Sequence, residues 1–142
     1  MLRQCFLGAL DLQLHTSYDA DGAVSPYDVQ QQLAQSFSVM PPLSEDRFLC
    51  SFTHIFAGGY AAGYYSYKWA EVMSADAFAA FEEGEGGLDD DKAVAAMGRK
   101  FRDTVLACGG GRHPALVYRD FRGKDATPDA LVRHSGLAVA RQ

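Results

Sequence analysis

Ser51-Phe52-Thr53-His54-Ile55-Phe56-Ala57-Gly58-Gly59-Tyr60-Ala61-Ala62-Gly63-Tyr64-Tyr65-Ser66-Tyr67-Lys68-Trp69 holds four of the chain's seven tyrosines, its one tryptophan and three glycines. A histidine, His54, stands just before the glycine pair. The run predicts a flexible loop feeding a helix that begins near Tyr60 and continues to about Glu83. On such a helix Tyr60, Tyr64 and Tyr67 follow i, i+4, i+7 spacing and share one side. Phenol tips need polar partners when buried. A row of them is therefore unusual for a plain core helix.

The pattern on either side is also helical. Phe6, Leu7, Leu10 and Leu14 give residues 3–18 one apolar face. Ser25-Pro26 reads as an N-cap followed by proline at the first helical position, opening a helix to about Ser36 with Val29 and Leu33 inward. Val39-Met40-Pro41-Pro42-Leu43 interrupts regular structure, and residues 43–59 form a long connection expected to pack around the tyrosine stretch. Tyr65, Trp69, Val72, Met73 and Phe81 are the expected packing positions of the long helix, and Gly84, Gly86 and Gly87 end it. Asp89-Asp90-Asp91 offers a cap for a helix over about 91–107 that turns Val94, Met97, Phe101 and Val105 inward. Gly109-Gly110-Gly111 stops it. Pro114 opens a short helix through Phe121, closed by Gly123, and Thr127-Pro128 repeats the cap-plus-proline pattern before a last helix ending at Gly136. No segment alternates with period two for long, so the fold class expected is all-α.

The length of 142 residues suits one domain, and 48% hydrophobic with 22% charged residues is ordinary for a globular chain. A net charge of −5 gives no reason to expect nucleic acid or an anionic membrane as a partner. No apolar run approaches the ~20 residues of a membrane helix. Met1 to Leu10 superficially resembles a leader, but its apolar part is short and Asp11 interrupts an amphipathic pattern that continues beyond it. Cys5, Cys50 and Cys108 are odd in number and widely spaced, which reads as reduced, structural thiols in a reducing compartment; the location expected is cytoplasmic or organellar, not secreted.

Most candidate motifs are weak. Cys50 and His54 at i, i+4 would supply two metal ligands where three or four are needed. Gly58-x4-Gly63 lacks the lysine and hydroxyl of a phosphate loop. The acidic run around Glu82–Asp91 lacks the alternating ligands of a calcium loop. His54 alone reads as an ordinary histidine, and each tyrosine alone as packing. Together, a histidine, a glycine hinge and phenol groups within fourteen residues (54–67) can converge on a bound carbonyl and donate to a developing oxyanion.

His54-Ile55-Phe56-Ala57-Gly58-Gly59-Tyr60-Ala61-Ala62-Gly63-Tyr64-Tyr65-Ser66-Tyr67 resembles the substrate-binding signature of the thimet oligopeptidase family of zinc metallopeptidases, in particular its oligopeptidase A branch and plant organellar relatives. The resemblance runs from about Gln4 to Leu137; residues 101–106, 121–124 and 131–137 resemble the family's C-terminal end. It implies a zinc-dependent endopeptidase of short peptides, all-α, with a deep channel between two lobes. In that family two histidines of a His-Glu-x-x-His helix and a later glutamate hold zinc, and the motif glutamate is the general base. Carried over residue by residue, the resemblance makes His54 a substrate contact, Tyr60 a peptide-binding tyrosine and Tyr67 the oxyanion donor. Tyr64 matches a tyrosine of some members, and Gly58 and Gly59 match the mobile loop that closes over the peptide.

This chain has no His-Glu-x-x-His and supplies none of the zinc ligands. Residues 1–142 are accordingly expected to be the C-terminal portion of a catalytic domain, its partner being the missing N-terminal portion. The stretch Glu82–Gly87 is glycine-rich and departs from the bacterial pattern. The alternative from another class is a non-catalytic helical protein of the same descent that binds peptides or a partner chain.

Overall fold

A buried stripe of Leu7 and Leu10, with Leu14 half-buried beyond it, sets the first helix, α1 (Leu2–Thr16), against α2 (Pro26–Phe37), which answers with Val29 and Ala34. These come from a computed structural model that describes residues 1–137. The start of α2 is fixed by a capping box. The Ser25 hydroxyl accepts from the Asp28 backbone N–H at 3.2 Å, and the Asp28 carboxylate accepts from the Ser25 N–H at 2.8 Å. Pro26 occupies the first turn, where its missing donor costs nothing.

The connection after α2 is ordered by its apolar spacing. Two short 3-10 turns, Phe48–Ser51 and Thr53–Ile55, bury Leu49, Phe52 and Ile55. Their three-residue interval matches the 3.0 residues per turn of that helix type. All three join Leu7, Leu10, Val29 and Tyr64 in one core.

The remaining helices are α3 (Ser66–Glu82), α4 (Asp91–Phe101), α5 (Pro114–Arg122) and α6 (Asp129–His134). Among the described residues there is no strand, and the protein is all-α. The chain divides into two compact units, Met1–Trp69 and Ala70–Gln142, the latter described to residue 137. The second unit packs Ala75 and Ala79 of α3 against Ala130 of α6, with Leu131 alongside. Val117, Tyr118 and Phe121 give α5 its buried face. Gly123 (φ 73°) closes α5 in the left-handed region that glycine adopts without a Cβ clash.

Four sequence expectations need correction. The helix expected from Tyr60 begins at Ser66, because Gly59 (φ 80°) and Ala62 (φ 54°) are left-handed and residues 61–65 form turns. Tyr65 and Trp69 are exposed, the latter by 57%, and Ala75, Asp76, Ala79 and Ala80 form the buried face of α3 instead. The helix expected over 91–107 is regular only to Phe101. It then widens into a π-turn, Arg102–Leu106, closed by Ala107 N–H to Arg102 C=O at 2.8 Å, and Val94, Met97, Phe101 and Val105 are only half-buried. Pro128, not Thr127, is the capping residue of α6, and the Thr127 hydroxyl bonds the Asp129 carboxylate at 3.0 Å.

Candidate functional site

Backbone geometry at 53–60 explains why two glycines are needed side by side. The Thr53 carbonyl accepts from Phe56, Ala57 and Gly58 N–H at 3.2, 2.9 and 2.7 Å, and Tyr60 N–H returns to the His54 carbonyl at 3.0 Å. The chain thus folds tightly back over His54. A Cβ on Gly58 would sit 2.7 Å from His54 Cα, 3.0 Å from its carbonyl oxygen and 3.1 Å from that of Thr53. Gly59 has open space around it and is required only for its positive φ.

The two glycines therefore predict different results. Gly58→Ala meets backbone that cannot swing aside, and it is expected to cost about 1–3 kcal/mol and displace His54. Gly59→Ala is expected to cost about 1–2 kcal/mol from the left-handed backbone alone, leaving the His54 imidazole resonances in place. Chemical denaturation and the His54 ring NMR signals distinguish them; equal displacement of His54 in both variants would contradict the close-approach account.

The turn brings the sequence-predicted side chains together although they share no helix. Ring centroids of His54 lie 6.1, 5.8 and 6.4 Å from those of Tyr60, Tyr64 and Tyr67, and Tyr67 lies 5.0 Å from Tyr60 and 5.1 Å from Tyr64. Tyr64 is the anchor: it is 8% exposed and meets Phe52 of the core edge-on at 5.1 Å. His54, Tyr60 and Tyr67 are open to solvent, Tyr67 by 39%, as are Gly58 and Gly59. The cluster is thus fixed from below and accessible from above.

Hydrogen bonding to Tyr60 pushes the Tyr67 hydroxyl above the ordinary phenol range, reinforced by burial and by the charges Tyr60 and Tyr64 would carry if ionised. Tyr67 is therefore a neutral phenol at physiological pH, and its single O–H can reach a bound carbonyl by turning from Tyr60. That is the state in which a phenol can polarise a carbonyl or stabilise an oxyanion.

One residue of the site was passed over in the sequence. Asp11 on α1 is fully buried, and its two carboxylate oxygens accept from the backbone N–H groups of Ala62 at 2.9 Å and Tyr64 at 2.8 Å. His15 places Nδ1 2.9 Å from the same carboxylate. In the sequence Asp11 only breaks an apolar run. The available signal was its position on the stripe of Leu7, Leu10 and Leu14, where an acid must find partners.

Among the described residues, no group of three or more histidine, cysteine, aspartate or glutamate side chains could hold a metal ion. Cys50 turns to the Tyr27 hydroxyl at 3.1 Å, while His54 turns to the tyrosines. Among the described residues Cys50 and His54 therefore do not form a two-ligand pair. No described helix is long and apolar enough to cross a membrane.

A family model described as Peptidase family M3 matches residues 1–137. Over 139 residues the chain is 59% identical to organellar oligopeptidase A, chloroplastic/mitochondrial, of Arabidopsis thaliana, covering 98% of this chain and 17% of that protein. It is 58% identical to a probable cytosolic oligopeptidase A of the same plant, covering 98% of this chain and 20% of that one. With oligopeptidase A of Haemophilus influenzae the identity is 42% over 137 residues, 96% of this chain and 19% of the relative. The chain therefore spans 17–20% of the length of these relatives. The match takes in α1 with Asp11, the glycine turn, the tyrosine cluster and the helices that follow, and on that extent this chain belongs to peptidase family M3.

Proposed function

We propose that this chain is the peptide-gripping part of an M3 oligopeptidase catalytic domain, acting on short peptides. The observation that carries the reading is the convergence of His54, Tyr60, Tyr64 and Tyr67 beside an exposed glycine turn. In this reading Gly58 and Gly59 lie along the peptide backbone, where the lack of side chains permits close approach. His54 and Tyr60 contact the bound peptide. Tyr67 donates its O–H to the scissile carbonyl, a bond that strengthens as negative charge develops on that oxygen. Tyr64 holds the other rings against the core.

Zinc, which the family resemblance implies, supplies Lewis-acid activation in the complete enzyme. Its ligands and the general base belong to the remainder of the polypeptide in this reading, since the described residues offer no donor set. The names of the Arabidopsis relatives make cytosol or organelle the expected compartment.

This division of labour has a direct test. The purified 142-residue chain is expected to leave an internally quenched peptide uncut, with or without added zinc, whereas a full-length enzyme containing the segment cuts it. Metal-dependent cleavage by the short chain would overturn the assignment of the missing chemistry to other residues. An unaltered rate after loss of the Tyr67 hydroxyl in the full-length enzyme would overturn the assignment of the cluster.

A further inference from the structure

We propose that Asp11 is a positioning residue for the tyrosine cluster: its buried carboxylate sets the turn that aims Tyr67, so it controls turnover without touching substrate. The proposal rests on reading the cluster as the peptide-gripping side of the site, and it adds a residue from a different element, fifty-one positions before Ala62.

The connection can be followed bond by bond. Asp11 sits on α1 with no exposed surface. One carboxylate oxygen takes the Ala62 N–H and the other the Tyr64 N–H, so the turn is held at two points rather than one. Tyr64 passes the constraint on: its carbonyl accepts the Tyr67 N–H at 3.3 Å, and its ring lies 5.1 Å from that of Tyr67. Only one residue thus separates the carboxylate from the phenol assigned to the oxyanion.

Strain at the turn points the same way. Among the described residues Ala62 is the one non-glycine with positive φ, at 54°. A left-handed alanine persists only where its surroundings over-determine it, and the Asp11 bond to its N–H is such a constraint. The helix beneath is shaped to accept the turn. A Cβ built on Gly8, one turn before Asp11, would lie 3.7 Å from Tyr65 Cα, so the end of the turn meets α1 at van der Waals distance. His15 bonds through Nδ1 to the Asp11 backbone carbonyl at 2.9 Å, which also brings it within 2.9 Å of the carboxylate, and its ring lies 6.1 Å from that of Phe56 in the preceding loop.

Asn cannot replace this carboxylate without turning an N–H₂ group toward one of the two backbone donors. A full-length peptidase containing this segment is therefore assayed as a cycle of Asp11→Asn, Tyr67→Phe and the double variant, with kcat and KM separated. Asp11→Asn is expected to lower kcat/KM roughly 10- to 100-fold, the scale of a small misplacement of a reacting group, with helicity and metal content unchanged. In the Tyr67→Phe background the same change is expected to cost no more than about threefold, because the group it positions is already absent. Equal losses in both backgrounds would overturn the proposal, since Asp11 would then act elsewhere. A silent Asp11→Asn beside a damaging Tyr67→Phe would overturn this proposal alone. A silent Tyr67→Phe would overturn the reading of the cluster, and the proposal with it. If Asp11→Asn does not fold, Asp11→Glu, which keeps the charge, takes its place in the same cycle with the same non-additivity expected.

Discussion

Replacing Tyr67 by phenylalanine in a full-length peptidase that contains this segment is expected to lower kcat about 10²-fold, the effect of losing one oxyanion donor. KM is expected to change little, because the bond is made mainly in the transition state. Phenylalanine keeps the ring that packs 5.0 Å from Tyr60 and 5.1 Å from Tyr64, so the cluster retains its shape and loses only a hydroxyl. The defect should be level across neutral and mildly alkaline pH. Tyr67 titrates above the ordinary phenol value of 10.0, so the wild-type donor is not lost in that range. Tyr65→Phe is the matched control. That side chain is two positions away and exposed, and it has no place among the ring contacts of His54. Its kcat should stay within about twofold of wild type, inside the usual range of surface changes. A Tyr67→Phe enzyme that turns over as fast as this control would remove Tyr67 from the chemistry.

Why the cluster was legible in the sequence, and its scaffold only partly, follows from distance along the chain. His54, the glycine pair and the tyrosines are all local, so their types and spacing are visible in one short window. The helical spacing that first grouped Tyr60, Tyr64 and Tyr67 proved to be the wrong cause. The turn over His54 and the two bonds from Asp11 bring the rings together, and α3 starts only at Ser66. A window of nineteen residues cannot display a bond that spans fifty-three. The same limit hid the burial of Asp76, whose partners come from α5. Local signals fared better. Ser25-Pro26 and Asp90 cap their helices, and Gly123 and Gly136 take positive φ at helix ends, because such features are settled by the nearest few residues. Trp69 shows the remaining failure: an indole reads as core, yet nothing in composition says which faces of this chain a neighbouring segment would cover.

The largest stability loss is expected at Asp76. Its side chain is 3% exposed and faces an Arg122 side chain that is 4% exposed. Arg122 donates Nε and Nη2 to the two Asp76 carboxylate oxygens, each at 3.1 Å, and Tyr118 donates its hydroxyl to one of them. Arg122 also reaches Glu83 at 3.0 and 3.1 Å, but Glu83 is exposed and screened. Asp76→Ala would thus leave a buried guanidinium with a single rim carboxylate and a buried phenol without the acceptor of its O–H. The cost is expected to be about 3–5 kcal/mol, the scale for removing one member of a buried pair. Arg122→Leu removes the other charge but leaves Asp76 with Tyr118 and the half-exposed Lys124 at 3.4 Å, so it should cost less. Urea unfolding followed by far-UV circular dichroism measures both. Acid adds an independent check. Burial pushes the Asp76 carboxyl up, but the bonds from Arg122 and Tyr118 outweigh it and hold the group below its ordinary 3.8. A folded pKa below the unfolded one means that the stabilisation is complete above pH 3.8 and is lost as the pH falls through the folded value. Asp76→Asn has no such proton to take up. Its stability should fall less steeply than that of the parent below pH 3.8, while Glu82 and Glu83, also held low by arginine and histidine partners, retain their own acid dependence in both. Parallel acid curves for parent and Asp76→Asn, or an Asp76→Ala loss under about 1 kcal/mol, would show that the pair adds little beyond the apolar packing around it.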